Sequence, residues 1–446
     1  MTSIAEAEES SLSAEELKKK VRRAIRRRAK EISQIGDQIF KHPELGFKEF
    51  ETAKLVQRTF KGLGLPYESE VAITGVIADL EGNGKGPTIS VMGELDSVLC
   101  YSHPYADRTT GAVHACGHNA QTAAMLGVAM GFVDTKIMRE LPGTVSFMAV
   151  PAEEYVEIEY RLRLRDEGKL KFLGGKQEFI RLGKMNPVDM TVKHHTGTGK
   201  KLRRVEVAGT NNGFVGKAIR YVGKEAHAGG APDKGINALN AAMLGIMGVH
   251  TLRETFKDDD HIRVHPIITR GGDLVNIIPA DVRIETYVRG KTTDAILKAS
   301  KKVNRALKGG GTTVGAKVEI REIPGYLPLK NEPEMSKIFG GNAKKLLGRA
   351  AVKQGEHKTG STDTGDLSAI MPAIEPTIYG ATGTGHGSDY AMADKEMCYM
   401  VPAELMAMTV IDLLWDDAAN ARRIIGSFKP EVKKRDYARY WERLLR

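Results

Sequence analysis

The feature that most constrains this chain is a set of short apolar runs that stop abruptly at polar residues. Pro87–Gly93 (PTISVMG), Gly143–Val150 (GTVSFMAV) and Val188–Val192 each lie between turn signals and read as buried strands. The apolar, Ala- and Met-rich stretch Ala120–Phe132 reads as a helix. From about Lys18 to Arg204 strands alternate with helices, which predicts a parallel sheet covered on both faces. From about Asn212 the pattern changes. Phe214–Tyr221 reads as a strand, Asn237–Arg253 as a helix, and His261–Ile268 and Asp281–Val288 as strands. Ala295–Lys308 then reads as a helix and Ala316–Ile323 as a strand. That order, β-α-β-β-α-β, is the ferredoxin-like split unit. Helices and short strands resume from about Glu332 to Leu414. The expected fold is α/β: a mostly parallel sheet domain carrying an inserted ferredoxin-like α+β domain. The divisions fall at 17–208, 209–326 and 327–430, with a charged C-terminal tail at 431–446. A length of 446 residues suits two domains.

Composition excludes several classes. Hydrophobic residues make up 41% and charged residues 27%, an ordinary globular balance. Apolar runs such as Ala123–Val133 and Ala241–Val249 fall short of the about 18 residues of a membrane span, so no membrane partner is expected. The opening MTSIAEAEES is acidic, lacks an apolar core and is not a secretory signal; Met1–Glu16 reads as a frayed lead-in. Three cysteines suit a reducing, cytoplasmic location. The net charge is +10, and the nine basic residues of Lys18–Lys30 (KKKVRRAIRRRAK) leave +1 for all the rest. Leu17, Val21, Ala24, Ile25, Ala29 and Ile32 recur at helical spacing, so one basic helix with one apolar stripe is expected. It reads as a solvated surface face or, as a second reading, a nucleic-acid or acidic-membrane patch. No aromatic residues interleave with the basic ones, which disfavours nucleic acid.

The chemistry-bearing residues cluster where strands end. His114-Ala115-Cys116-Gly117-His118-Asn119 opens the Ala120–Phe132 helix. A thiol there sits in the positive end of the helix dipole, and thiolate and imidazole two residues apart can meet one metal. By itself the segment could equally hold a buried Cys and a capping His. Gly143–Val150 runs into Pro151-Ala152-Glu153-Glu154. Two carboxylates at a strand's carboxyl end can divide cation binding from proton transfer, or simply line a solvated loop. Val188–Val192 ends at Lys193-His194-His195-Thr196, and Pro87–Gly93 at Glu94-Leu95-Asp96. Asp96 could accept the second N–H of a ligating His. The turn Gly383–Gly387 presents His386. Coincidence explains such a constellation poorly. Walker, GxGxxG and GxSxG patterns are absent from the sequence, and TGTGK at Thr196–Lys200 reads as a turn.

In this order the segments resemble the aminoacylase-type metallopeptidase family, the M-twenty family, in its p-aminobenzoyl-glutamate hydrolase-like branch. The matching pieces are GELD (Gly93–Asp96), HACGHN (His114–Asn119), PAEE (Pro151–Glu154), VDMTVKHHTGTG (Val188–Gly199) and EAHAGGAPDKGINAL (Glu225–Leu239). They continue with GGDLVNIIPADVRIETYVRG (Gly271–Gly290), GSTDTGDLS (Gly360–Ser368) and the His386 turn, and span roughly residues 20–430. The resemblance implies metal ligands at Cys116, His118, Glu154, His195 and His386. The spacing from Asp189 favours His195 over His194. It implies Glu153 as general base and acid, and Asp96 as the acid orienting a ligand. The inserted unit becomes a lid and dimerisation domain. His227 and Asn276 become lid residues reaching a partner's active site, and Arg289 a receptor for a substrate carboxylate; in bland terms Asn276 caps a turn and Arg289 is a surface residue.

Also implied are one or two divalent ions, zinc or manganese, a small-molecule substrate, and a homodimer or higher homo-oligomer. Two departures stand out. Asn119 replaces the Asp that many relatives carry, and Tyr155–Leu173 intervenes before GGKQEFIRLG where most relatives continue directly with glycines. The insert is similar to a branch that includes a hydrolytic aryl-amine deaminase. The expected activity is therefore metal-dependent C–N hydrolysis: deamination of an electron-poor aryl amine, or amide hydrolysis releasing an amino acid. A catalytically inactive binding protein is the alternative of another class.

Overall fold

The computed structural model describes residues 12–446, so the lead-in residues 1–11 lie outside it. The chain forms two compact units. The first comprises the chain up to Gly209 together with Asn331–Gly355 and Ile370–Glu431. The second comprises Thr210–Lys330, Glu356–Ala369 and Val432–Arg446.

Within the first unit, helices α1 (Ala14–Arg27) and α2 (Ala29–Lys41) precede strands β1 (Tyr67–Val71), β2 (Gly75–Glu81) and β3 (Thr88–Glu94). Helix α3 (His118–Thr135), β4 (Thr144–Val150), β5 (Met190–Val192) and β6 (Ala373–Ile374) follow. The sheet order is β1-β2-β4-β3-β5-β6. β3, β4, β5 and β6 run parallel, and β2 closes antiparallel on β4. Glu94 stands opposite Val150, and Val91 opposite Val192. The carboxyl ends of β4, β3 and β5 are therefore neighbours, and the polar segments that follow them issue side by side.

α3 packs on β3 and against α1, α2 and Val401–Ser427. Nearly all its residues are buried, so it carries no polar face. Its small residues permit close approach: Gly127 faces Ile32 and Ala403, and Gly131 faces Ile25 and Val21. Glu396–Ser427 is long and apolar enough to cross a membrane by length and composition, an apolar stretch that the sequence reading did not single out. Yet 94% of its most apolar window is buried in the protein, and its backbone leaves the helical region at Trp415–Ala418. It is a core helix.

The basic segment folds as two helices. α1 begins with a capping box between Ser13 and Glu16, so the helix starts inside the expected frayed lead-in, and it ends at Arg28. Leu17, Val21, Ala24 and Ile25 of α1 and Ile32 of α2 are buried as the stripe requires. Acids of the same unit meet many of the basic residues. Lys18 pairs with Asp412 and Glu15, Arg22 and Arg26 with the fully buried Glu404, and Arg28 with Asp134 and Glu31. Intramolecular pairing thus engages Lys18, Arg22, Arg26 and Arg28, while Lys19, Lys20, Arg23, Arg27 and Lys30 stay on the exposed face.

The second unit is the antiparallel sheet Arg263–Val264, Asp281–Gly290, Gly213–Val222, Lys317–Tyr326, with Ile267–Arg270 also paired to Asp281–Gly290. Helices Ala238–Thr251 and Thr293–Val314 pack on it over a core of Ile219, Tyr221, Val282, Ile284, Val303 and Leu307. Chain order and sheet order are those of the ferredoxin-like split unit. Two pieces join it that sequence reading had placed elsewhere. The helix Thr364–Ile370 starts in Glu356–Ala369. The tail docks through buried Tyr437 and Trp441, which donate to Asp366 at 2.5 and 3.3 Å. Two aromatic side chains spaced one helical turn apart make the tail part of this unit's core rather than an appendage.

Candidate metal centre

Helix α3 begins at His118 because Gly117 takes a left-handed conformation, φ 88°. A Cβ there would lie 2.6 Å from Thr196 Cβ and 2.9 Å from Tyr390 Oη, so both backbone freedom and close packing require glycine. The turn aims Cys116 and His118 at the ends of the neighbouring strands. Cys116 Sγ lies 3.4 Å from His195 Nε2. His118 Nε2 lies 3.8 Å from Glu153 and 4.0 Å from Glu154. His386 Nε2, from the left-handed turn after Thr377–Thr382, lies 3.1 Å from Glu154 Oε1. Donor atoms of Cys116, His118 and Glu154 fall within 4.8 Å of one another. The structure thus gathers Cys116, His118, Glu154, His195, His386 and Glu153 at the carboxyl end of the sheet.

His118 Nε2 and Glu154 Oε1 are buried yet make no hydrogen bond among the described residues, despite their close neighbours. Unmet buried donors and acceptors are costly. A thiolate, imidazoles and a carboxylate crowded without hydrogen-bond alignment are what a divalent cation of borderline softness requires. The residues fit such an ion. His118 Nδ1 lies 2.9 Å from the Asp96 carbonyl and 3.2 Å from its Oδ1, which leaves Nε2 to face the cluster. Asp96 Oδ2 also accepts the Glu154 N–H at 2.8 Å, so one carboxylate orients two donor residues.

The charges report the same crowding. Burial and Glu154 push the Cys116 thiol up, but His118 and His195 prevail and bring it down to about 5. Burial raises Glu154, yet His386 and His118 hold it at about 2. Glu154 drives His386 up to about 12 against burial. Burial opposes protonation of His118, but Glu94 and Cys116 raise it well above the ordinary range. Protons on these histidines stand where a bound cation would supply the positive charge. His194 is fully buried, driven down to about 3 by burial and then by Lys193, and its ring nitrogens have no hydrogen-bond partner among the described residues, whereas His195 Nε2 lies 3.4 Å from Cys116 Sγ.

Sequence reasoning missed the charged layer beneath the site. Glu94 is fully buried and lies 3.1 Å from His118 Nε2. Its other oxygen meets Lys176 at 2.5 Å and Lys193 at 2.6 Å, and Lys193 also reaches Glu375 at 3.0 Å. Two lysines and two glutamates balance within a dry environment, where a lone charge could not persist. Of its four members only Glu94 was signalled by the acids ending β3. Nothing in the sequence marked Lys176. TGTGK, read as a turn, contributes its first residues to the strand His195–Thr198, paired parallel with Thr377–Thr382. Asn119 lies off the cluster: its Nδ2 donates to the Gly36 carbonyl at 3.1 Å and to Tyr399 Oη at 3.3 Å. Its departure from the family's Asp concerns packing against α2.

The lid candidates lie in the second unit. His227 and Asn276 are exposed, and the segments holding them are joined by the Ala228 N–H to Asn276 C=O bond at 2.9 Å. His227 Nδ1 accepts from Gly229 and Gly230, which leaves its Nε2 outward. Arg289 stands apart from them. It donates to Ser361 Oγ at 2.7 Å and lies 5.3 Å from the Phe214 and Tyr287 rings.

Residues 91–409 match the model of Peptidase family M20/M25/M40. The chain is 26% identical to the Xaa-Arg dipeptidase of Mus musculus, over 92% of this chain and 93% of that protein. Among solved structures, it is similar to the aminobenzoyl-glutamate utilization protein of Klebsiella pneumoniae (TM-score 0.66, 19% identity, 89% of this chain and 99% of that one). It is also similar to the YXEP protein of Bacillus subtilis, a dinuclear metal-binding peptidase (TM-score 0.64, 22% identity, 87% and 99%).

Proposed function

The chain belongs to peptidase family M20/M25/M40 and is a hydrolase, and from that premise we propose that it is a metal-dependent hydrolase of C–N bonds in small molecules. Cys116, His118, Glu154, His195 and His386 hold one or two divalent ions, zinc or manganese. The observation that carries the reading is the cluster of buried, unmet donor atoms beside Glu153. When bound, such a cation acts as a Lewis acid and lowers the pKa of water. Glu153, 3.8 Å from His118 Nε2, takes the proton from the attacking water and returns it to the departing nitrogen. Asp96 keeps His118 and the Glu154 backbone in place, and the Glu94–Lys176–Lys193–Glu375 layer fixes the floor. His227 stabilises the negative charge that develops on the substrate. Arg289, with Asn276, receives a substrate carboxylate.

The protein works as a homodimer or higher homo-oligomer, with His227 acting across the interface. Exposed Met243, Leu244 and Met247 on one helix and Ile267 and Ile268 on a neighbouring strand support that assembly. A reducing cytoplasm is the compartment proposed, on three free cysteines.

For the substrate, the first reading is an amide that releases an amino acid. The dipeptidase and aminobenzoyl-glutamate relatives support it. A second reading, hydrolytic deamination of an electron-poor aryl amine such as 5-nitroanthranilate to 5-nitrosalicylate and ammonia, is favoured by the Tyr155–Leu173 insertion beside Glu153. The test is metal-reconstituted protein assayed on p-aminobenzoyl-glutamate and 5-nitroanthranilate side by side. Amino acid release supports the first reading, ammonia and nitrosalicylate the second. Binding of either without turnover, in protein shown to hold metal, would overturn the hydrolase assignment in favour of a binding role.

A further inference from the structure

The insertion Tyr155–Leu173 is a core element. It folds into the helix Ile158–Asp166 and buries Tyr155, Ile158, Leu162, Leu164, Leu170, Phe172 and Leu173. Among them is Arg161, 0% exposed. Its Nη1 donates to the Leu173 carbonyl at 2.8 Å, and its guanidinium lies 5.3 Å from the centre of the Phe47 ring. Its Nε and Nη2 have no hydrogen-bond partner among the described residues. A Cβ placed on Gly46 would overlap Arg161 Nη2 and lie 2.9 Å from Ala152 Cα. The guanidinium and Ala152, the residue immediately before Glu153, therefore border the same face of Gly46.

Ala152 is itself strained. It holds φ 52° without being glycine, a left-handed conformation that crowds its Cβ against the following carbonyl. Phe47, under the guanidinium, and Glu157, which precedes the insertion helix, share that strain at φ 62° and 51°. Non-glycine left-handed residues persist only where their surroundings over-determine them. For Ala152 its neighbours on three sides supply them. Its N–H is held by Glu49 Oε1 at 2.8 Å, its carbonyl by the Gly175 N–H at 3.2 Å, and its Cα side borders Gly46, on whose same face the Arg161 guanidinium lies. A buried cation with uncommitted N–H groups is a poor device for stability, because an apolar side chain of similar volume avoids its desolvation cost.

From this geometry we infer that Arg161 is a positioning residue for Glu153: it presses the strained Ala152 peptide into the conformation that points the Glu153 carboxylate at the metal cluster. The inference rests on the proposed role of Glu153 as the general base. Arg161 acts through Ala152 and touches neither substrate nor metal ligands.

The test compares Arg161→Met, Arg161→Lys and Gly46→Ala with the parent and with Glu153→Gln. All are full-length and metal-loaded, and all are assayed on whichever of p-aminobenzoyl-glutamate and 5-nitroanthranilate the parent turns over. Arg161→Met is expected to keep its metal content and its melting temperature, to leave KM within about twofold, and to lower kcat by about 10- to 100-fold, the scale of a small misplacement of a reacting group. Arg161→Lys recovers part of that loss. Gly46→Ala, which displaces the guanidinium from the other side, reproduces it, and its effect does not add to that of Arg161→Met. Backbone amides of residues 152–154 exchange deuterium faster in Arg161→Met than in the parent, a readout independent of turnover. A folded, metal-loaded Arg161→Met with parental kcat and parental exchange would overturn the inference. So would a fall in melting temperature with kcat unchanged, which marks a structural role. Parental turnover in Glu153→Gln would instead sink the base assignment, whatever the Arg161 variants do.

Discussion

The two units hold their candidate residues in opposite ways. In the first, ligand-type side chains turn inward from adjacent strand ends, are mostly buried, and leave donor atoms without hydrogen-bond partners among the described residues. In the second, His227 and Asn276 stand exposed on neighbouring turns, while Arg289 is already engaged by Ser361. A buried cluster with unmet donors is complete only with a small cation. An exposed imidazole with one nitrogen capped by backbone N–H groups has its other nitrogen satisfied by water and needs no cation. Burial thus divides the candidate residues into a crowded inward cluster in the first unit and solvent-facing groups in the second.

The largest test of that division contrasts the two adjacent glutamates. Glu154→Ala should abolish metal binding and activity together, as metal analysis after gel filtration would register. Glu153→Gln should keep the metal and lose kcat by about 10³-fold or more. If both variants lose metal equally, the split between ligand and base is wrong.

A smaller effect is expected in the second unit. His227→Ala should lower kcat by about 10- to 100-fold with unchanged metal content and melting temperature, since it is exposed. Mixing this variant with Glu153→Gln restores some activity if His227 serves a partner's site; strictly additive losses in the mixture refute action in trans.

Inward charge also governs stability in the first unit. Replacing both Arg22 and Arg26 by Ala strands the fully buried Glu404 and should cost about 3–5 kcal/mol in urea unfolding. Lys19→Gln and Lys20→Gln, on the exposed face, should cost less than about 0.5 kcal/mol. Equal costs would mean that the pairing seen around Glu404 contributes little.

The smallest effect concerns the second unit's pH response. Burial pushes the Asp366 carboxyl up to about 7, with Asp363 adding to the rise and Tyr437 and Trp441 opposing it. The native form keeps a proton that the unfolded chain releases from about pH 4. Its contribution is full below that pH and is lost as pH rises through about 7. Asp366→Asn should therefore flatten the fall in melting temperature between pH 5 and 8 and raise it at pH 8 by about 2–5 °C. Parallel pH profiles for the two proteins would contradict this.

Much of the fold was legible because its signals are local. Apolar runs of strand length, helical stripes and turn residues marked the parallel sheet and the β-α-β-β-α-β order, and backbone periodicity alone produces those patterns. The residues gathered at Cys116 were legible as a motif set, since each follows a strand end or opens a helix. Other features depend on contacts between segments far apart in the chain. The reach of Lys176 to Glu94, the turn of Asn119 toward Gly36, and the return of Tyr437 and Trp441 to Asp366 all cross long sequence separations. Composition could report how many charges the chain carries, but not which of them would be buried together. The sequence by itself determined the order of elements and the types of donor at each strand end. Only the tertiary structure decided which charges pair in the dry interior and that Arg161 lies buried beside Gly46. Desolvation acts on a side chain's surroundings in space, and a one-dimensional pattern does not contain them.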